Sequence, residues 1–163
     1  MTVRERVRSR PVRVAAACGL AGVLVAGAVL PQLSARLTGE TYRLAVAPVD
    51  PIDPFRGAYV TLDYPSLHPA DDVAQAGGTV YVPLVRVPDR ELWEGGRPSR
   101  SEPASGPYLR CEAGWRLRCG IESLFAPQDE ARSLEQQLSD GAVAVVRVDG
   151  RGNAAVVDLE AGR

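Results

Sequence analysis

The sequence predicts a mainly β, β-rich α+β protein: an N-terminal transmembrane helix, then a small twisted sheet or barrel-like domain with one short helix. Three observations carry this. Residues 14–30 hold no charged or strongly polar side chain. Seven later stretches alternate apolar and polar residues between Pro- and Gly-rich breaks, the period of half-buried strands. Only residues 129–139 show helical spacing, with Ala131, Leu134 and Leu138 at i, i+3 and i+7.

The 163 residues leave room for one domain and an appendage. All 19 basic residues are Arg, so a Ser/Lys catalytic dyad is excluded. The net charge is −1, but Arg4, Arg6, Arg8, Arg10 and Arg13 against Glu5 give +4 over residues 1–13 and leave −5 for the rest. An acidic domain lacks the basic footprint that phosphate binding needs, which argues against a nucleic-acid partner.

Residues 14–30 reach about 25 Å as a helix, near the lower limit for a bilayer core. Pro31, Gln32 and Leu33 extend the span by a turn. The organisation expected is a cytoplasmic Arg-rich tail at 1–13, a membrane anchor at 14–33, a linker at 34–39 and an extracytoplasmic domain at 40–163. The Arg excess before the apolar run places the N-terminus inside. The rival reading is a cleaved signal peptide with Leu33-Ser34-Ala35 as its site. Leu33 stands there where a small residue is wanted, and the apolar run is long for a signal. A lipoprotein reading of Ala16-Ala17-Cys18 fails on order, because the apolar run mostly follows the Cys.

Beyond Glu40, residues 41–47 form a first strand stopped by Pro48. Residues 50–57 make a stiff acidic turn: the prolines push Asp50 and Asp53 out of the helical region, and Gly57 permits a left-handed backbone. The turn feeds a strand over 58–64, with Val60, Leu62 and Tyr64 on one face and Tyr59, Thr61 and Asp63 on the other. Residues 65–78 read as a loop. Residues 79–87 are strongly β, and Pro83 there argues for an edge strand or a bulge. Residues 88–107 read as a long mobile loop with a helical turn near Trp93. Residues 107–111 and 115–121 pair as a hairpin, with Trp115, Leu117, Cys119 and Ile121 inward. The helix over 129–139 is capped by Asp129 and Gly141. Residues 142–148 and 154–159 close the chain as a hairpin.

The chemistry-bearing residues favour structure over catalysis. His68 is the only histidine and has no ligand partner at zinc spacing, so it reads as a solvated loop residue. Asp50, Asp53 and Asp63 gather carboxylates, but in no known calcium pattern, and cap turns with Arg56 reaching back to one of them. Tyr59, on the outward face, is the aromatic suited to anchor a partner. Asp50, Asp53, Arg56, Gly57, Tyr59 and Asp63 are therefore the candidate binding surface. Val60, Leu62, Tyr64, Trp115, Leu117, Ile121 and Leu134 are the candidate core. Glu122 and Glu135 are each assigned to pairing with Arg118 or Arg132. No catalytic residue, metal or cofactor is called for.

The stretch from Gly57 to Tyr64 resembles the signature of the bacterial GDYXXLXY family, and the likeness continues through residues 118–127 and at Leu134-Glu135. Ala58 stands where the signature has Asp, and Gln128 where a family Glu is expected. The resemblance implies a membrane-anchored extracytoplasmic domain with no assigned reaction, in members often encoded beside a multi-pass membrane protein, the expected partner. The reading that follows is an interaction or accessory module. The alternative is a cell-envelope hydrolase using carboxylates of the turn between Asp50 and Asp63.

Cys111 and Cys119 are the two thiols beyond the apolar run, an even count on the side where oxidation is permitted. A bridge between them is expected. With a turn at 112–114 the register is wrong for it, so a longer loop or a bulge is needed, one that folds Trp115 over the bond.

Overall fold

The computed structural model of the chain describes residues 3–48, 59–68, 77–125 and 141–162. A long helix, α1 (Val3–Thr38), leads into β1 (Glu40–Pro48), β2 (Tyr59–Asp63), β3 (Gly78–Arg86), β4 (Trp93–Gly95), β5 (Tyr108–Ala113), β6 (Ser123–Phe125), β7 (Ala142–Val148) and β8 (Ala154–Ala161). The strands form one sheet curled into a half-barrel, in the order β5-β3-β4-β1-β2-β6, with β7 on β1 and β8 on β7. The short helix expected over 129–139, with Leu134, lies outside the described residues.

The core follows from period-two alternation. Tyr42, Leu44 and Val46 of β1, Val80, Val82 and Leu84 of β3, and Ala142, Ala144, Val146 and Val148 of β7 all turn inward to one cluster. Leu62, Tyr64, Leu117 and Ile121 join it, as expected. Trp115 does not: it is 83% exposed. Residues 115–121 are not a strand, and the return arm touches β5 through a single bridge, Glu112 to Arg118. The alternation therefore holds for Leu117, Cys119 and Ile121 and breaks at Trp115, which sits in the loop joining the arms.

That bridge settles the register of the two cysteines. Glu112 and Arg118 exchange both backbone hydrogen bonds, at 2.8 and 3.0 Å. Their neighbours Cys111 and Cys119 are then a non-hydrogen-bonded pair, the closer kind in an antiparallel ladder. Their Cα atoms are 4.1 Å apart and a disulfide joins them. The loop is longer than a tight turn at 112–114, and Trp115 points to solvent instead of covering the bond.

Two further expectations are corrected. Of the two readings of Pro83 the edge strand falls, because β3 pairs β5 on one side and β4 on the other, and the bulge stands. Pro83 is accommodated where the partner carries an extra residue: Leu84 to Tyr81 is three steps, while their partners Gly95 and Ser99 are four apart. The carbonyl of Pro83 still accepts from Gly96 at 2.7 Å. Residues 88–107 contain β4, wedged between β3 and, in parallel, β1 at Leu44. Trp93 fixes β4 there by meeting Tyr42 edge to face at 5.0 Å.

Candidate functional site

The two stretches singled out in sequence fold side by side. β2 pairs β6, with Tyr59 opposite Phe125 and Thr61 opposite Ser123, and the Leu62 amide donates to the Glu122 carbonyl at 2.9 Å. The buried Tyr64 hydroxyl donates to the Ile121 carbonyl at 2.8 Å. Burial, and then the negative Glu122, push this phenol far above its ordinary value. Its role is structural: a proton held this firmly ties the end of β2 to the segment after the disulfide.

Glu122 is not paired with Arg118, and Arg132, the other expected partner, lies outside the described residues. Its carboxylate accepts the amides of Cys119 and Gly120, the latter at 3.1 Å, while Arg118 turns to Glu112 at 3.3 Å. Backbone N–H groups in a turn are a nearer and better-ordered partner for a carboxylate than a solvated guanidinium. Asp63 is half-buried opposite Ala47. Asp50, Asp53, Arg56 and Gly57 lie outside the described residues, as do Ala58, Gln128 and Glu135. Tyr59 and Val60 are placed by backbone pairing alone. His68 is exposed. Among the described residues no group of three His, Cys, Asp or Glu side chains is arranged to hold a metal ion.

Among the described residues a dense polar network lies elsewhere, where α1 meets the sheet. Ser34 donates to the Asp149 carboxylate at 2.6 Å, Gln32 to the Gly120 carbonyl at 2.9 Å, and Arg36 to the Val156 carbonyl at 3.1 Å. Arg147 of β7 caps the helix end: its guanidinium donates to the Arg36 carbonyl and to that of Gly39, the latter at 2.7 and 3.0 Å. A cation at a helix C-terminus satisfies orphan carbonyls and meets the negative end of the macrodipole. Ala35 is fully buried. Gly39 is a matter of space: a Cβ there would meet the Ala35 carbonyl oxygen and the Val148 backbone within 3 Å.

Asp149 organises the β7–β8 turn as well. Its Oδ1 accepts the Arg151 and Asn153 amides at 2.9 and 3.0 Å, and its Oδ2 the Asn153 side-chain amide at 2.9 Å. Burial alone would raise this carboxyl, but the bonds from Asn153, Ser34 and the two amides outweigh it and hold it below the usual Asp range. Gly152 closes the turn with φ 75°, against the Tyr108 ring, and its carbonyl accepts from Arg110 of β5 at 2.8 Å. The last turns of α1, the β7–β8 turn and β5 are thus one connected body. Residues 34–38, expected as linker, are helical and docked.

The sequence model of the GDYXXLXY protein family matches residues 21–159, most of the chain. The chain belongs to the GDYXXLXY family. The matched region takes in the family signature strand, the disulfide loop, and the helix end with its junction. No curated protein and no solved structure matches the chain.

Away from these regions, an open depression of about 640 Å³ is lined by Arg43, Arg90, Glu91, Leu92 and Glu160. Arg43 is engaged there by Glu160 at 3.1 Å and Glu91 at 3.4 Å. These are solvated surface pairs, worth little individually.

Sequence reading missed the junction. Asp149-Gly150-Arg151-Gly152-Asn153 is legible as a turn, and Asp is a turn-capping residue. Its tie to Ser34, across 115 positions, has no local signal.

Proposed function

We propose that the chain is a membrane-anchored interaction or accessory module that works with an integral membrane partner. In this reading α1 is an uncleaved, single-pass anchor with its N-terminus in the cytoplasm, and the half-barrel lies on the extracytoplasmic side. The observation that carries it is the docked helix end. Residues Val12–Thr38 are long and apolar enough to cross a membrane, and Val14, Leu20, Val23, Leu24, Val25 and Leu30 are all exposed. The end of the same helix is built into the sheet through Gln32, Ser34, Ala35 and Arg36.

The rival cleavage site, Leu33-Ser34-Ala35, falls inside this docked turn. Cleavage after Ala35 would remove Gln32, Ser34 and the fully buried Ala35 from the contacts they make with the sheet. The disulfide suits an oxidising compartment, and the Arg-rich start suits the cytoplasm. A helix fixed at its base also sets the height and rotation of the sheet above the bilayer. That suits a module presenting one surface to a neighbouring membrane protein better than a free tether would.

Crosslinking in native membranes, followed by affinity purification and mass spectrometry, tests this reading. An integral membrane protein crosslinked reproducibly to the half-barrel or to α1 supports it. Recovery of the full chain as an uncrosslinked monomer, or in the soluble fraction, overturns it.

A further inference from the structure

Outside α1, the described residues expose three large apolar side chains: Val85, Val157 and Trp115. Trp115 is the largest and the most exposed of them, at 83%. It stands at the tip of the hairpin loop whose arms are locked by the Cys111–Cys119 disulfide and the Glu112–Arg118 bridge. Arg116 lies over its ring, with the guanidinium carbon 4.7 Å from the centroid. An indole under a guanidinium is an amphipathic pair, apolar on its face and cationic at its rim.

The base of this loop is fixed to the helix. Gly120, next to Cys119, accepts a hydrogen bond from Gln32 at 2.9 Å, and Gln32 stands two residues beyond the end of the apolar run at Leu30. If α1 spans a bilayer, Gly120 is held at the level where hydrocarbon gives way to headgroups. Trp115 is five residues from Gly120, a reach of at most about 17 Å. Trp is the side chain enriched at that level, and Arg suits the phosphates found there. Arg118 is paired with Glu112 at 3.3 Å, so the loop's net positive charge is the Arg116 guanidinium beside the indole, on a domain that is otherwise acidic.

We propose that the Trp115–Arg116 loop seats in the headgroup layer of the bilayer that α1 crosses, with the indole at the acyl boundary and Arg116 on anionic phosphate headgroups. It is a second, rigid point of membrane contact, which fixes the tilt of the half-barrel. The proposal rests on the anchoring reading above.

The test uses the full chain reconstituted in vesicles containing phosphatidylglycerol. Trp93→Phe leaves Trp115 as the sole indole, and Trp115→Phe leaves Trp93, which is half-buried against Tyr42. Vesicles whose lipids are brominated near the headgroup should remove most of the Trp115 emission and leave that of Trp93 unchanged. Co-flotation with an unquenched Trp115 overturns this proposal alone and leaves the loop free for a protein contact. Equal quenching of both indoles overturns it too, since the quenching would then not be particular to the Trp115 loop. A chain that does not float with the vesicles defeats the anchoring reading and this proposal together.

Discussion

The Ser34 hydroxyl donates to the Asp149 carboxylate at 2.6 Å, joining the last turns of the apolar helix to a hairpin turn 115 positions later. The same carboxylate holds the turn closed through Arg151 and Asn153. One side chain therefore orders the hairpin and ties it to the helix. Ser34→Ala should lower stability of the full chain in detergent by about 1.5–3 kcal/mol, the scale of a hydrogen bond to a charged group. Asp149→Ala should cost more, because it leaves four part-buried donors without their acceptor. Chemical denaturation of both variants and the double variant checks this. Independent, additive losses would mean that the two residues are not coupled.

The Asp149 carboxyl also sets a pH dependence. Its folded value is lowered, so the stability it contributes is complete above the ordinary Asp value of about 3.9 and is lost as pH falls through the folded value. Melting temperatures measured from pH 5 downward should fall more steeply for the natural chain than for Asp149→Asn. Parallel curves would show that this carboxyl is not linked to folding.

Gly39→Ala tests how tightly the helix end is seated. The added methyl would meet backbone, the Ala35 carbonyl oxygen and Val148, neither of which can rotate away. A loss of about 1–3 kcal/mol is expected, as for overpacking a rigid interior. An unchanged melting temperature would mean the junction is looser than its hydrogen bonds imply.

The signature strand is a packing element where its side chains are described. Leu62 is 3% exposed, and Leu62→Ala should destabilise by about 2–5 kcal/mol. Tyr64→Phe keeps the ring but removes the donor to Ile121, at a cost of about 1 kcal/mol. Denaturant midpoints that rank these two variants in the opposite order would contradict the burial pattern.

The Cys111–Cys119 bridge closes a short loop and should contribute about 2.5 kcal/mol by the chain-entropy estimate. Intact mass after alkylation, with and without reductant, reads the bond directly. In the unreduced, oxidatively expressed full chain one alkylated cysteine, Cys18, is expected, and three would refute the bridge.

Legibility in the sequence tracked locality. β1, β2, β3, β7 and β8 were readable because alternation is a property of neighbouring residues. β4 and β6 were not. Each is three residues long, β4 held between β3 and β1 and β6 on β2 alone, and so short a strand leaves no periodic signal. Trp115 was misplaced because alternation was carried through a loop that the Glu112–Arg118 bridge excludes from the ladder. The site was less legible than the fold. Glu122 was paired with the nearest Arg, when the turn after Cys119 offered two amides. The junction of Ser34, Arg147 and Asp149 depends on contacts across more than a hundred positions, and composition does not encode these.

The central claim is that one uninterrupted chain crosses the membrane and continues, uncleaved, into the docked half-barrel on the far side. The most direct test is a reporter fused after Arg163, read with the N-terminal sequence and the membrane retention of the mature protein. A reporter active only when extracytoplasmic, on a membrane-bound chain that still carries residues 1–13, is the predicted result. A soluble domain beginning near residue 36, or a reporter active in the cytoplasm, would contradict it.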